Sequence, residues 1–484
     1  MSQRLNQIGT VLLIGFVGVA LSLTYWMVWG RDALLAQSFN PRLVETERAI
    51  KRGTILDRQG EALIWSAAEG LSPSGMPNYR RISAVPAESF SALGYYSLTY
   101  GVGGLESVYD RELRGENALS PETRLLNTLL HHPQEGSSIR LTLYKTLQTQ
   151  TYQAFKGRRG AAVVIEVPTG AVLALVSAPG FDAARLDLDF DRLEEDQNAP
   201  LLNRALQGVY QPGGMLQSAL IAALLNTDPD GEFPVEQGDQ PVKVNGLSLT
   251  CTVIPDQPPR TLLEAYVYGC PGAFTTLPSG ILSPARLWQM VESFHLTTPP
   301  LIDRLEPLTR SAVTPWMNLT DPAQLQAELL GQGKLTLTPL QMALNTAIIA
   351  NEGNAITPYM VSAIYPPTVN PQDYDGGETD PYRTSPPPAG EAVITREAAD
   401  RVQAAMREGV LRGSAEGAQP SGSPEIQAHG AAGIAYTGKT AHAWFIGFAT
   451  LPDGRKWVVS VVIEDSLNPA SAAALARGIF EQAR

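Results

Sequence analysis

Side chains that could attack a substrate, titrate near neutral pH or hold a metal are sparse in this sequence. Cys251 and Cys270 are the only cysteines and the five histidines are scattered, so no cluster has the spacing of a structural zinc site. In an oxidising compartment the two cysteines could pair and close a loop of modest length; as two separately buried thiols they would simply pack. The stretch VYQPGGMLQSALIAALL, Val209–Leu225, has the form of a loop that delivers the chain into a buried helix. The first turn of such a helix can project reactive groups into a cleft, yet Gly213 and Gly214 stand at its entrance. Nothing there could do chemistry.

The elements that would position a cleft are better marked. At 484 residues, with 44% hydrophobic and 17% charged residues, the chain is too apolar for general disorder and long enough for two or three domains. A formal net charge of -12, with no basic run, excludes a nucleic-acid binder, which needs a basic face to displace counterions from phosphates. Ile8–Gly30, IGTVLLIGFVGVALSLTYWMVWG, is uncharged and long enough to cross the bilayer hydrocarbon, which takes roughly twenty helical residues. Tyr25, Trp26 and Trp29 cluster at its far end, where amphipathic rings favour the headgroups. A cleaved signal peptide is the rival reading, but the apolar run exceeds the usual h-region and no small-x-small site follows promptly. The expectation is a tail over 1–7, a membrane span over 8–30 and the bulk of the chain on one side.

Residues 31–140 mix short apolar stretches with turn signals such as Asp57-Arg58-Gln59-Gly60, and read as a smaller irregular domain. Over 141–484 the signals sharpen. Ala161–Val167 and Ala171–Ser177 flank Pro168-Thr169-Gly170 as a hairpin, and Ala443–Ala449 and Trp457–Glu464 flank Pro452-Asp453-Gly454 as a second. Thr338-Pro339-Leu340-Gln341 predicts a capped helix to about Ala350, and Asn468-Pro469 starts a terminal helix. Tyr365–Gly390 and Gly413–Ala432 lack a core-forming pattern and read as exposed loops. Strands at both ends of a long segment with helices between them predict an α+β domain whose sheet is completed by the C-terminal residues.

Taken in order, these segments resemble the single-span class B penicillin-binding proteins, transpeptidases that cross-link peptidoglycan. Arg52–Gly60, RGTILDRQG, resembles the signature opening that family's non-catalytic pedestal, and Tyr95–Glu106, YYSLTYGVGGLE, resembles its GYxSxxYGxxGLE segment. Asn203-Arg204-Ala205, GQGKLTLTPLQ over 331–341, and the hairpin around Pro168-Thr169-Gly170 match further segments of the larger domain. The resemblance implies the penicillin-binding transpeptidase fold, an antiparallel sheet flanked by helices, on a pedestal over 31–140. It also implies a bacterial cytoplasmic-membrane location with the bulk outside, peptidoglycan stem peptides or β-lactams as ligands, division or elongation proteins as partners, and no cofactor or metal.

Acyl transfer in that family uses a serine and, three residues later, a lysine on one helical face, within a PGSxxK pattern. Here Pro212-Gly213-Gly214-Met215-Leu216-Gln217 aligns with it, so Gly214 stands at the nucleophile position and Gln217 at the base position. The second motif, SxN, aligns with Gly269-Cys270-Pro271 and has lost both polar groups. For the third, K-T-G, the matching residues are Lys439 and Thr440, with Ala441 for the glycine, and they would bind a substrate carboxylate. The resemblance therefore implies a silent transpeptidase acting as scaffold or ligand-binding partner, or a receptor reporting muropeptides or β-lactams reversibly. The alternative is an active DD-transpeptidase or carboxypeptidase using a displaced nucleophile such as Ser218, or His442 as base. Ser218 lies one turn deeper, where its hydroxyl would bond a backbone carbonyl.

Overall fold

The computed structural model describes residues 2–28, 41–72, 75–85, 87, 90–116, 122, 127, 129–130, 132–275, 283–302, 305, 321–388, 390–438 and 440–483. Helix α1, Ser2–Val28, is followed by strands β1 (Ile55–Leu56), β2 (Ala62–Leu71), β3 (Pro77–Ser83) and β4 (Ser138–Leu141). Next come α2 (Lys145–Ala154), β5 (Gly160–Val167), β6 (Val172–Ala178), α3 (Gln217–Thr227), α4 (Leu262–Tyr268), α5 (Pro284–Ser293), α6 (Pro322–Leu329) and α7 (Pro339–Ala350). The chain closes with β7 (Val361–Tyr365), α8 (Arg396–Arg412), β8 (Gln427–Tyr436), β9 (Ala441–Thr450), β10 (Lys456–Ile463) and α9 (Pro469–Phe480).

The larger sheet has the order β8-β9-β10-β5-β6, antiparallel throughout. Both expected hairpins are present, β5 with β6 and β9 with β10. Strand side chains alternate between faces. Ala162 and Val164 pack with Phe445 and the terminal-helix residues Leu475 and Phe480, while Val163 and Ile165 pack with Trp444, α3 and α7. Helix α7 starts as its sequence demands: Gln341 N–H donates to Thr338 Oγ1 at 3.1 Å, and Thr338 N–H donates back to Gln341 Oε1 at 2.9 Å.

One expected loop is in fact a strand. Gly413–Ala432 was expected to be exposed, but β8 begins at Gln427, and Ser414, Ala415, Ala418, Ser423 and Ile426 are buried before it. The side chains of β8 are small because large ones would not fit. A Cβ on Gly430 would lie 2.7 Å from the Phe445 ring. The other expected loop, Tyr365–Gly390, also folds back on the core, with the Tyr365 hydroxyl donating to Asp380 Oδ2 at 2.5 Å and Tyr374 and Tyr382 packed beside it.

A second sheet, β7-β4-β1-β2-β3, builds the smaller layer. Its outer strand β7 comes from beyond residue 141, in the segment expected to belong wholly to the larger domain, and pairs antiparallel with β4. Two of the stretches that carry the resemblance meet here. Glu106 of the GLE segment, 1% exposed, takes Arg52 Nη2 on one carboxylate oxygen at 2.8 Å and Arg81 Nη2 on the other at 2.7 Å. Arg52 also reaches Asp110 at 2.6 Å and lies over the Tyr96 ring. Burial alone would raise the Glu106 pKa; Arg81 and Arg52 outweigh it and hold the carboxylate below its ordinary range.

Among the described residues no helix is long and apolar enough to cross a membrane, so the span expected over 8–30 is not shown. The side chains described on α1 are those at 7 and 9–25, and they are exposed all round, Leu12, Ile14, Phe16 and Leu21 among them.

Two outcomes are expected. Glu106→Gln should cost about 3–5 kcal/mol in urea unfolding at pH 7, because it leaves two buried guanidinium groups without their anion. A depressed carboxylate pKa contributes stability above the unfolded value that is lost as pH falls through the folded one, so this cost should shrink below about pH 4. Deleting 469–484 strips a buried face from the sheet and should abolish the cooperative thermal transition.

Candidate active site

The loop into α3 is held by backbone contact. Gly213 N–H donates to the Gly331 carbonyl at 3.0 Å, and its φ of +54° leads into a short 3-10 turn, Gly213–Leu216, that continues as α3. A Cβ at Gly213 would come within 2.6 Å of the Ile434 carbonyl, so the turn and the edge strand β8 touch without side chains between them. Arg204 and Tyr210 fix the approach: Arg204 Nε and the Tyr210 hydroxyl each donate to Glu464 Oε1 at 2.8 Å.

In front of this turn lies a cavity of about 250 Å³, bordered by Gly214, Gln217, Gly269 and Pro271 together. The four positions aligned with the first two motifs are thus gathered at one place. A side chain at 214 would have room, since a Cβ there meets nothing closer than the Gln217 carboxamide, 3.8–3.9 Å away. Gln217 is 2% exposed, and its carboxamide makes no hydrogen bond with any described residue. Ser218 is buried, its hydroxyl donating to the Met215 carbonyl at 2.9 Å and pointed away from attack.

Gly269 closes α4 with φ +65°, and a Cβ there would strike Thr252 Oγ1 at 2.6 Å. The next residue settles what the sequence left open: Cys270 is disulfide-bonded to Cys251, and Thr252 N–H donates to the Gly269 carbonyl at 3.2 Å. This loop is stapled to the 250–253 segment.

The third pair is placed elsewhere. Thr440 sits exposed in the tight turn joining β8 to β9, where Tyr436 already pairs with Ala441 and Thr437 N–H donates to the Thr440 carbonyl at 2.8 Å. It does not border the cavity, and Lys439 lies outside the described residues. The edge strand borders the cavity instead with Ala431, Ala432 and Gly433. A Cβ on Gly433 would come within 3.0 Å of Met215 Cε, so this is the glycine that lets strand and helix approach. The match to Lys439 and Thr440 followed the identity of two residues; the place of Thr440 in a hairpin turn follows from strand register. The signal available in sequence was the frame Gly430-Ala431-Ala432-Gly433, which keeps two glycines at the spacing of a G-K-T-G run.

Two further groups shape the site. Gln332 bridges the outer edge of β8, accepting from Tyr436 N–H at 3.0 Å and donating to the Ile434 carbonyl at 3.5 Å. His442 is half-buried at the start of β9, with the Asp465 N–H directed at its Nδ1 at 3.3 Å; burial above all lowers its pKa, against the nearby Glu464 and Asp465. It is not among the cavity's neighbours. Among the described residues no group of three or more His, Cys, Asp or Glu side chains could hold a metal ion. Among the described residues bordering the cavity no nucleophile has a base beside it.

Space and backbone angle separate two substitutions by serine. Gly214→Ser should leave thermal stability within about 0.5 kcal/mol of the parent. Gly269→Ser, forced into a positive φ against Thr252, should cost about 2 kcal/mol or more. Paired denaturation curves check both.

The comparisons with known proteins bear on the fold that carries this site. Residues 160–482 match the penicillin binding protein transpeptidase domain. The chain is 29% identical over 494 residues to the peptidoglycan D,D-transpeptidase PbpA of Mycolicibacterium smegmatis, covering 98% of this chain and 96% of that protein. Against the Mycobacterium tuberculosis protein of the same name it is 28% identical over 515 residues, covering 100% and 99%. The solved penicillin-binding protein A from M. tuberculosis, an imipenem acyl-enzyme complex, superposes with a TM-score of 0.75 at 26% identity, covering 90% of this chain and 99% of that one. The D,D-transpeptidase domain of a peptidoglycan glycosyltransferase from Eggerthella lenta superposes at 0.73 with 25% identity over 90% and 98%. The chain belongs to the penicillin-binding protein transpeptidase family.

Proposed function

We propose that this protein is a non-catalytic member of its family, anchored in the bacterial cytoplasmic membrane and serving peptidoglycan biogenesis as a scaffold or ligand-binding partner. The observation that carries this is Gly214: at the head of the turn where the alignment calls for an attacking oxygen, the cavity holds only a hydrogen atom and, opposite, the carboxamide of Gln217. A carboxamide does not titrate and cannot accept the proton of a nucleophile. In the same reading the second motif falls on Gly269 and Pro271. The third falls on Ala431-Ala432-Gly433 rather than on Lys439 and Thr440, so the ammonium and hydroxyl that would hold a substrate carboxylate are gone as well.

Cell-wall function comes from the relatives, which are named peptidoglycan D,D-transpeptidases and align along nearly the whole of this chain. Anchoring rests on the sequence of Ile8–Gly30, an uncharged run of the length that a bilayer crossing takes. Division or elongation proteins are the partners this reading implies. An active enzyme with a displaced nucleophile draws no support from Ser218, whose hydroxyl is committed to the Met215 carbonyl.

The test is labelling of the full-length protein in membranes with a fluorescent penicillin, beside PbpA of M. smegmatis as a positive control. No denaturant-resistant label is expected on the native chain at concentrations that saturate the control, and Ser218→Ala should change nothing. A saturable covalent adduct on the native chain would sink the proposal. The Gly214→Ser, Gln217→Lys double variant, for which the cavity has room at 214, should acquire slow labelling.

A further inference from the structure

The cavity keeps its walls but has a different chemical character from a carboxylate-binding cleft. None of the described residues bordering it is Asp, Glu, Lys, Arg or His. Its polar groups are neutral, and each carboxamide can both donate and accept. Gln332 is occupied, closing the outer edge of β8 through Tyr436 N–H and the Ile434 carbonyl. Gln217 is not. It is buried, it borders the cavity, and its carboxamide makes no hydrogen bond with a described residue. The Tyr266 hydroxyl, also buried at the cavity wall, has beside it only Ser218, whose oxygen can still accept although its proton goes to Met215. The Gln217 carboxamide therefore keeps its donor and acceptor capacity for a ligand or for water in the cavity.

We propose that this cavity takes an uncharged, amide-bearing ligand and discriminates against the carboxylate form of the same molecule. The inference rests on the non-catalytic reading above and deepens it by naming the ligand class. An amide offers one N–H and one C=O, the complement of what Gln217 presents. A carboxylate offers only acceptors, and on entering it would lose its hydration with no cation among the described residues of the wall to replace it. Ala431 and Ala432 supply no charge where the edge strand meets the cavity.

The experiment is isothermal titration calorimetry of the full-length protein in detergent micelles at pH 7, with N-acetyl-D-alanyl-D-alanine amide and, separately, the corresponding free acid. The amide is expected to bind at least about tenfold more tightly than the acid. Gln217→Ala should weaken amide binding several-fold while leaving the melting transition in place, and Gln217→Lys should turn the preference toward the acid. Equal or tighter binding of the acid by the native chain overturns the proposal, as does the absence of binding by both. Should either variant fail to fold, the native ratio of amide to acid decides alone. A covalent penicillin adduct would strike the non-catalytic reading; the amide-to-acid ratio strikes only this one, so the two failures are distinguishable.

Discussion

The cleft depends on backbone touching backbone. Gly213 lies against the Ile434 carbonyl and Gly331 against Gly213, and at each contact a single added carbon would come within 2.6 Å of backbone. Interiors are packed so closely that such contacts cannot be widened locally. The edge strand, the turn before α3 and the 331–333 segment therefore hold their spacing whatever groups project between them. That separates shape from reactivity. The walls persist because glycine holds them at fixed spacing, while the groups that would react project from positions, such as 214, that carry no packing duty.

The same constraint decides what could be read from the sequence. The β5–β6 and β9–β10 hairpins and the capping box of α7 were legible because they are written in residue types with strong local meaning: β-branched runs, Pro-Thr-Gly and Pro-Asp-Gly turns, and threonine and glutamine three apart. Strand β8 was not. AHGAAGIAY carries almost no hydrophobic contrast, because its neighbours Phe445 and Met215 fill the space its side chains would take. A strand written in alanine and glycine looks like a loop. Without that strand in view, the Lys-Thr pair of the sequence is what matches the third motif, and Thr440 does not border the cavity.

Gly214, Gln217, Gly269 and Pro271 border one cavity, and the sequence could bring them together because helices α3 and α4 announce themselves and the positions are counted from their ends. What sequence could not supply is how differently the two glycines are held. Gly214 stands in open space, whereas Gly269 is required by a left-handed angle and by Thr252. The first leaves room for a side chain; the second is fixed by the fold, with the Cys251–Cys270 disulfide beside it.

The smaller layer is tied to the larger one by more than a linker. Glu166, on β5, receives Arg58 from the smaller layer and Arg455 from the β9–β10 turn, and β7 completes the smaller sheet with a strand that comes late in the chain. A strand shared in this way leaves no compliant hinge. Tension applied to one layer would be borne by the β4–β7 ladder and passed to the cleft's sheet undamped, so the two layers would tilt as one lever arm.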